Sequence, residues 1–442
     1  MLAAASLIAA PIADNSALPA LATATLAKTT ALLAVIQSVA TIHGCRSGVL
    51  VSKYNLLFFK LNGMNTIFTV ADKQLQLDRL PLGQSNRSLQ AWDAADELLL
   101  QQVLPLLAQR PDLKLVVMHD LFGALSCALG NYPHRQQNDS VLSQQATVHN
   151  RQQNALSADA ISFIDSVTAL PADLDLVLLK VPNNHGYLRF MLQQLSQVVR
   201  PDTMIIAAAK AKDIHKNLLA IFEQELGATQ ASLAQKKCRT IHCTPRGEAR
   251  AFTYPIQWEL PDYQLTLVNL ANVFAKEQLD IGARFLLEHL PVLEAGSLVA
   301  DLGCGNGVLG LALLKQQPQA RVIFTDDSAM AVASSKASVE LNIPELLAQA
   351  EFRTDDCLAS QADQSLDYVI CNPPFHQQQA VTEHIAWQMF NDAKRCLKAG
   401  GKLRIVANRH LPYYEKMTVL LGGCRHIASN NKFVILESTK RK

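Results

Sequence analysis

Short apolar runs alternate with amphipathic stretches from about residue 256 to the end of the chain. Buried strands are indicated by SLVADLG, ARVIFTDD, LDYVICNPP, GKLRIVAN and NKFVILES. Helical spacing of apolar residues is found in GVLGLALLKQQ, SAMAVASSKASVELN and HIAWQMFNDAKRCLKAG, the last of which is predicted to end at Gly400. This alternation predicts an α/β fold with a doubly wound parallel sheet and helices on both faces.

The preceding part of the chain repeats the same order of elements. Its matching stretches are LKLVVMHDLFGALSCALG, DSVLSQQATVHNRQQNAL, LDLVLLKVPNN and DTMIIAAAKAKDIHK. An ordered series of matches favours an internal duplication over a chance likeness between α/β domains. The sequence therefore predicts two tandem domains, which we call the first copy (residues 64–255) and the second copy (residues 256–442).

The first copy is predicted to be degenerate. Lys180 stands where the second copy has Asn372, and we expect the first copy to have lost the glycines of the second copy's first turn and its Asn-Pro-Pro-Phe motif. A letter-by-letter match places Phe122 and Leu125 at the positions that Gly303 and Asn306 occupy in the second copy. We expect the first copy to bind RNA and not a cofactor, and the isolated second copy to keep its cofactor.

Composition narrows the class of protein. Apolar residues make up 49% and charged residues 18% of 442 residues, which suits globular domains, and a net charge of +2 neither requires nor excludes a nucleic-acid partner. Nine cysteines without a CxxC pair indicate a reducing, cytoplasmic setting, with neither a disulfide framework nor a metal site.

Residues 1–63 differ from the rest of the chain in being rich in Ala, Leu and Thr. They lack the basic start of a secretory signal, and their first apolar run breaks at Pro11. No stretch of about 20 residues, the length that a membrane helix needs, is free of interrupting polar residues. We interpret this segment as a dispensable or untranslated extension, with Met64 as the natural start.

The loop DLGCGNGVLG, residues 301–310, follows a predicted strand and opens a predicted helix. Glycines at 303, 305 and 307 let the backbone approach a ligand closely. The letters from Gly305 to Gly310 also fit a dinucleotide fingerprint, which leaves a nicotinamide enzyme open. Asp301 argues against it, because a carboxylate at the strand end repels a pyrophosphate and attracts a cationic ligand.

S-adenosylmethionine is such a ligand, since it carries an ammonium and a sulfonium and no phosphate. Asp301 is predicted to attract its methionine end, Asp326 to accept hydrogen bonds from both ribose hydroxyls, and Gly303, Gly305 and Gly307 to admit it. Asp356, with Asp355 as a possible substitute, is predicted to accept from the adenine amine. For each aspartate, a helix cap or a turn is the structural alternative.

The motif CNPPFH, residues 371–376, ends a predicted strand with two prolines. Proline fixes φ and has no N–H, so the chain is stiff where it leaves the sheet. Asn372 and Phe375 are presented there. One amide and one ring suit a flat, polar, aromatic group.

The series DLGCGNG, TDDSAMA and CNPPFH resembles class I methyltransferases that act on planar exocyclic amines. Residues 64–442 are similar to the bacterial guanine-N2 ribosomal RNA methyltransferases, and the stretches that carry this likeness are QAWDAADELLLQQ, DIGARFLLEHLP, NPPFHQQ and VANRHLPYYEK. The resemblance implies Rossmann-like class I methyltransferase domains, S-adenosylmethionine as cofactor and a guanine N2 amine of 23S ribosomal RNA as substrate, with 16S ribosomal RNA as the near alternative.

The resemblance also implies roles for the motif. Asn372 Oδ1 and the Pro373 carbonyl accept hydrogen bonds from the amine, Pro374 helps to hold them still, and Phe375 stacks on the base. Methylation of adenine N6 or of a glutamine side chain uses a similar motif, although Phe375 favours guanine. A non-catalytic RNA-binding or assembly protein is a third possibility. His376 and His384 are expected to be ordinary surface residues or residues that support the site from behind its first layer, and not metal ligands.

Overall fold

The computed structural model of the chain describes residues 65–82, 90–274, 278–374 and 379–441. The predicted extension, residues 1–63, lies outside the described residues, as does Met64. Among the residues described, no helix has the length and apolar character needed to cross a membrane.

The first copy begins with a short antiparallel hairpin and continues as a seven-stranded α/β domain. Its elements are β1 (Ile67–Val70), β2 (Lys73–Gln76), α1 (Ala94–Gln109), β3 (Leu115–Met118), α2 (Ala124–Ala128), β4 (His134–Asn138), α3 (Val141–Gln153), β5 (Ile161–Asp165), β6 (Leu176–Lys180), α4 (His185–Ser196), β7 (Met204–Lys210), α5 (Lys216–Glu225), β8 (Gly227–Ala231) and β9 (Cys238–Pro245).

The second copy repeats this plan. Its elements are β10 (Ile256–Leu260), β11 (Leu265–Asn269), α6 (Ile281–Leu287), β12 (Leu298–Leu302), α7 (Val308–Gln316), β13 (Arg321–Asp326), α8 (Ala329–Asn342), β14 (Ala350–Thr354), β15 (Leu366–Cys371), α9 (Gln379–Cys396), β16 (Leu397–Asn408), α10 (Tyr413–Leu421), β17 (Arg425–Ser429) and β18 (Phe433–Thr439). The predicted end of α9 at Gly400 is wrong, since the chain passes at Leu397 directly into β16.

The two large sheets have the same strand order. It is β5-β4-β3-β6-β7-β9-β8 in the first copy and β14-β13-β12-β15-β16-β18-β17 in the second. The first five strands of each order are parallel, whereas the last two form an antiparallel hairpin that the sequence pattern did not reveal. The predicted pair of doubly wound domains is therefore confirmed.

Helices cover both faces of each sheet, which explains the continuous apolar runs of the central strands. In β3 and β6 all apolar side chains are buried, and they divide between two core clusters on opposite faces. The second sheet is divided in the same way. Met330 and Ala331 of α8 belong to a core cluster of the first copy, so the two copies share apolar packing.

The copies meet where β4 and β13, equivalent strands, leave their sheets. Ser140 and Ser328 form an antiparallel bridge. The Val141 N–H donates to the Asp327 carbonyl at 3.0 Å, and the Ala329 N–H donates to the Asp139 carbonyl at 2.9 Å. Each copy therefore supplies a backbone acceptor to the first turn of the other copy's helix, α3 or α8.

Candidate functional site

A cavity of about 600 Å³ lies at the carboxyl ends of β12, β13 and β15, the edge where open α/β sheets bind ligands. It is lined by most of the predicted site residues, namely Gly303, Gly305, Asp326, Asp356, Asn372, Pro373 and Pro374. Asp301 and Gly307 lie outside the lining. Phe375 and His376 fall outside the described residues.

Two of the three loop glycines have different tasks. Gly305 has φ +55°, and a Cβ added to it would meet no atom within 4 Å, so its backbone is open to the cavity. Gly307 has φ +79°, and a Cβ there would lie 2.9 Å from the side chain of Ser335 on α8. Gly305 therefore suits close approach of a ligand, while Gly307 allows α7 to pack on α8.

Asp301 lies beneath the loop and not in the cavity wall. Its side chain is fully buried, Oδ2 accepts from the Gly310 N–H at 2.8 Å, and Oδ1 has no partner among the described residues. Burial, with the nearby charge of Asp326, raises the pKa of this carboxyl to about 7. Asp301 can thus act on a ligand through its charge, without direct contact.

Asp326 is held by two backbone donors at the wall of the cavity. Its Oδ2 accepts from the Gly305 N–H and its Oδ1 from the Ser328 N–H, both at 3.0 Å. Burial raises its pKa to about 6. A carboxylate whose two oxygens are both held in place can accept hydrogen bonds from the two neighbouring hydroxyls of a ribose.

Only one of the two aspartates that follow β14 lines the cavity. Asp356 lines the cavity, and its Oδ1 accepts from Gln388 Nε2 at 2.8 Å. Asp355 is buried outside the lining, and its Oδ2 accepts from both the N–H and the hydroxyl of Ser360, at 2.8 and 2.7 Å. The Asp355 carboxylate is therefore engaged in a turn, and Asp356 is the one of the two that lines the cavity.

Asn372 is oriented by a residue that sequence reasoning missed. Its Nδ2 donates to Asp280 Oδ2 at 3.2 Å, and that same oxygen accepts from the Ala283 N–H at 3.0 Å as the cap of α6. Oδ1 of Asn372 is buried and has no hydrogen-bond partner among the described residues. An aspartate directly before the apolar run IGARFLL was the available signal, since it is typical of a helix cap.

In the first copy the equivalent place is filled by an ion-pair cluster. Lys180, the counterpart of Asn372, donates to Asp93 at 3.0 Å and to Asp96 at 2.8 Å. Asp93 caps α1 as Asp280 caps α6. These charged groups occupy the place that Asn372 and Asp280 have in the second copy.

The predicted alignment of the first loop is wrong in register. Gly123 begins α2 with φ +76°, five residues beyond the end of β3, as Gly307 begins α7 five residues beyond β12. One glycine is therefore retained, since a Cβ on Gly123 would lie 2.7 Å from Thr147. Phe122 matches Asn306 and not Gly303, whose place is taken by His119 at φ +64°.

The ring at the position equivalent to Gly303 therefore belongs to His119 and not to Phe122. His119 is half-buried, its Nδ1 lies 3.0 Å from the Lys180 carbonyl oxygen, and its ring packs edge-on against the Tyr187 ring, with 5.9 Å between the ring centres. Desolvation lowers its pKa to about 4, so the imidazole is neutral at neutral pH.

Residues of the first copy line the cavity of the second, which the sequence did not indicate. They include Arg79, Phe122, Leu142 and Ser143, and the Arg79 guanidinium lies 4.3 Å from the centre of the Phe122 ring. His384 also lines the cavity. Among the described residues, no group of three His, Cys, Asp or Glu side chains is placed to hold a metal ion.

The fold and the site define a methyltransferase. Residues 65–247 match the family model described as the RLMG N-terminal domain, and residues 264–437 match the methyltransferase small domain. The chain is 47% identical to ribosomal RNA large subunit methyltransferase G of Pseudoalteromonas translucida over 84% of this chain and 97% of that protein, and 50% identical to the Klebsiella pneumoniae protein of that name over 82% and 96%. The chain belongs to the ribosomal RNA large subunit methyltransferase G family.

A solved structure shares the two-domain fold. A 16S ribosomal RNA N2 methyltransferase of T. thermophilus, in complex with AdoMet and guanosine, matches 85% of this chain and 98% of its own length, with a TM-score of 0.66 and 20% identity. The predicted family and the predicted enzyme class, a methyltransferase that modifies ribosomal RNA, are confirmed. The nicotinamide and non-catalytic alternatives are set aside.

Proposed function

We propose that this chain transfers a methyl group from S-adenosylmethionine to the exocyclic N2 amine of a guanine in 23S ribosomal RNA. The observation that carries the choice of an amine is the free Oδ1 of Asn372, a buried acceptor without a partner among the described residues. A buried acceptor without a hydrogen bond is costly unless a bound group supplies the donor.

The cofactor is S-adenosylmethionine. The methyltransferase small domain spans the site, and the fold neighbour from T. thermophilus holds AdoMet. The cavity volume of about 600 Å³ falls in the range of small-molecule sites. When bound, the cofactor supplies a methyl group that its sulfonium activates for transfer.

Different residues around the cavity would contact different parts of the cofactor. Asp326 would accept the ribose hydroxyls, and Asp356 the adenine amine. Gly303 and Gly305 would admit the methionine end, whose positive charge is favoured by Asp301 beneath the loop. Gly307 shapes the loop from outside the lining. We propose these roles from the geometry of the cavity.

The chemistry asked of the protein is orientation. A guanine N2 lone pair is conjugated with the ring, so the amine is a weak nucleophile. Asn372 Oδ1 and the Pro373 carbonyl, held stiff by the Pro373–Pro374 pair, would accept from its two N–H groups and turn the nitrogen towards the methyl carbon. The predicted stacking by Phe375 would hold the base plane. The amine proton leaves to water after transfer.

The choice of 23S over 16S ribosomal RNA rests on the relatives, whose names specify the large subunit. Lys210, Lys212 and Lys237 of the first copy are exposed and could contact phosphates. A substrate of this kind implies a cytoplasmic location.

Purified protein and labelled S-adenosylmethionine should be incubated with ribosomal RNA from a strain that lacks the enzyme. We expect N2-methylguanosine in digests of the 23S fraction and none in the 16S fraction. Label in the 16S fraction would support the alternative substrate. N6-methyladenosine, or label in protein glutamine, would overturn the assignment of guanine.

A further inference from the structure

Asp139 of the first copy is one of the most densely hydrogen-bonded carboxylates in the described part of the chain. It is buried and does not line the cavity. Its side chain accepts from Ser166 Oγ at 2.6 Å, Asn272 Nδ2 at 2.7 Å, Ser328 Oγ at 2.6 Å and the Met330 N–H at 2.9 Å. Three of these four donors belong to the second copy.

Two of those donors are themselves in the wall of the cavity. Ser328 and Asn272 line it, and Ser328 is also the residue whose N–H fixes Oδ1 of Asp326. A continuous chain of contacts therefore runs from Asp139 through Ser328 to Asp326. The Ser328 hydroxyl both donates to Asp139 and accepts from the Ala331 N–H at 3.1 Å, so it also begins α8.

We infer that Asp139 is a positioning residue for the cofactor site, so that the degenerate copy completes the cavity of the catalytic copy. This rests on the proposed role of Asp326 towards the ribose. The isolated second copy, which we expected to keep its cofactor, should therefore bind it less tightly than the whole chain does, because removal of the first copy would leave the Ser328 turn without its acceptor.

The chemistry of the four donors makes Asp139→Asn a sharp change. All four groups donate to the carboxylate, and an amide would turn an NH₂ group towards two of them. The two serine hydroxyls can rotate, but the Met330 N–H cannot. The Asp139 carbonyl, which accepts from Ala329, is unchanged by this substitution.

Glu225 offers a matched control in the first copy. It is also a buried carboxylate; it pairs with Arg189 and accepts from Gln193 at 3.2 Å, and it lies outside the cavity lining. Both D139N and E225Q are expected to lower the unfolding temperature. Only D139N should weaken the binding of the cofactor.

Calorimetry on full-length protein would measure binding of S-adenosylmethionine. We expect D139N to raise its Kd about tenfold, the effect of losing one hydrogen bond to a charged group, and E225Q to leave it within about twofold. With ribosomal RNA, D139N should raise the KM for the cofactor and change kcat less than threefold or so, because Asn372 is held separately by Asp280.

Ser328→Ala provides a second variant should D139N fail to fold. It removes the hydroxyl that links Asp139 to the turn, and it should raise the Kd of the cofactor several-fold. Where both fold, the double variant should lose little more than D139N alone, since the two residues act in one chain.

The outcomes separate the two proposals. If the wild type binds S-adenosylmethionine and D139N and S328A bind it equally well, Asp139 only joins the copies and this inference is overturned. A fully additive double variant would also overturn it. If the wild type itself does not bind S-adenosylmethionine, the proposed function fails first.

Discussion

The Asn372 amide is fixed from behind by Asp280, with 3.2 Å between Nδ2 and the carboxylate oxygen that also caps α6. An amide has one donor group and one acceptor oxygen. Because the donor group is engaged by Asp280, the acceptor is the side left free for a substrate. One carboxylate thus sets both the start of a helix and the polarity of the proposed amine site.

Asp280→Ser should separate these two roles. Serine caps helices about as well as aspartate, so the unfolding temperature should change little. Its shorter side chain would lose the hydrogen bond to Asn372 Nδ2. We therefore expect kcat to fall about 10- to 100-fold, the usual cost of misplacing a group that orients a reactant. Steady-state kinetics at saturating cofactor would measure this.

The matched control for that substitution is Asp93→Ser, the equivalent cap in the degenerate copy. It removes one acceptor of Lys180 and should lower stability without a large effect on kcat. Equal losses of kcat in the two variants would argue that the caps act only through folding.

Asp326→Ala should weaken the binding of S-adenosylmethionine. Hydrogen bonds to a charged group contribute about 1.5–3 kcal/mol, so loss of the ribose contacts predicts a Kd raised at least 10-fold or so. Asp355→Ala is the control, because its carboxylate serves Ser360 outside the cavity. Calorimetry that found similar affinities for both would mean that Asp326 only holds Gly305 and Ser328.

The raised pKa of Asp301 predicts a pH dependence of cofactor binding. Burial disfavours the ionised form, which titrates at about pH 7 in the free protein. A cationic ligand favours that ionised form, so binding should release protons near pH 6, and affinity should increase as the pH rises from about 6 to about 8.

Asp301→Asn is the variant that isolates this effect. It keeps an acceptor for the Gly310 N–H and removes the charge, so the increase in affinity between about pH 6 and 8 should flatten, leaving the smaller contribution of Asp326. Binding enthalpies in buffers of different ionisation enthalpy would report the released protons. An unchanged pH profile would assign Asp301 to the support of the loop alone.

Much of the fold could be predicted because the strands are buried on both faces and therefore read as continuous apolar runs. The duplication was visible for the same reason. The antiparallel hairpin of β17 and β18 was missed, since the direction of a strand leaves little trace in its composition. The register of the first loop was also missed, because only Gly123 remains of its glycines and the left-handed backbone of His119 has no signature in the letters.

The site was readable where one stretch of chain carries the chemistry, as in residues 301–310 and 371–374. Asp280 and Asp139 were missed because their partners lie far away in sequence: 92 positions separate Asp280 from Asn372, and 189 separate Asp139 from Ser328. Such contacts depend on how helices and domains pack, and no local pattern encodes them.

The central claim is that Asn372 holds the target amine and not the cofactor. Single-turnover transfer to 23S ribosomal RNA at saturating S-adenosylmethionine, with the product identified as N2-methylguanosine by mass, tests it most directly. For Asn372→Ala we predict a rate about 100- to 1,000-fold lower with an almost unchanged cofactor Kd. A rate close to that of the wild type would contradict the account, and so would a loss explained wholly by weaker cofactor binding.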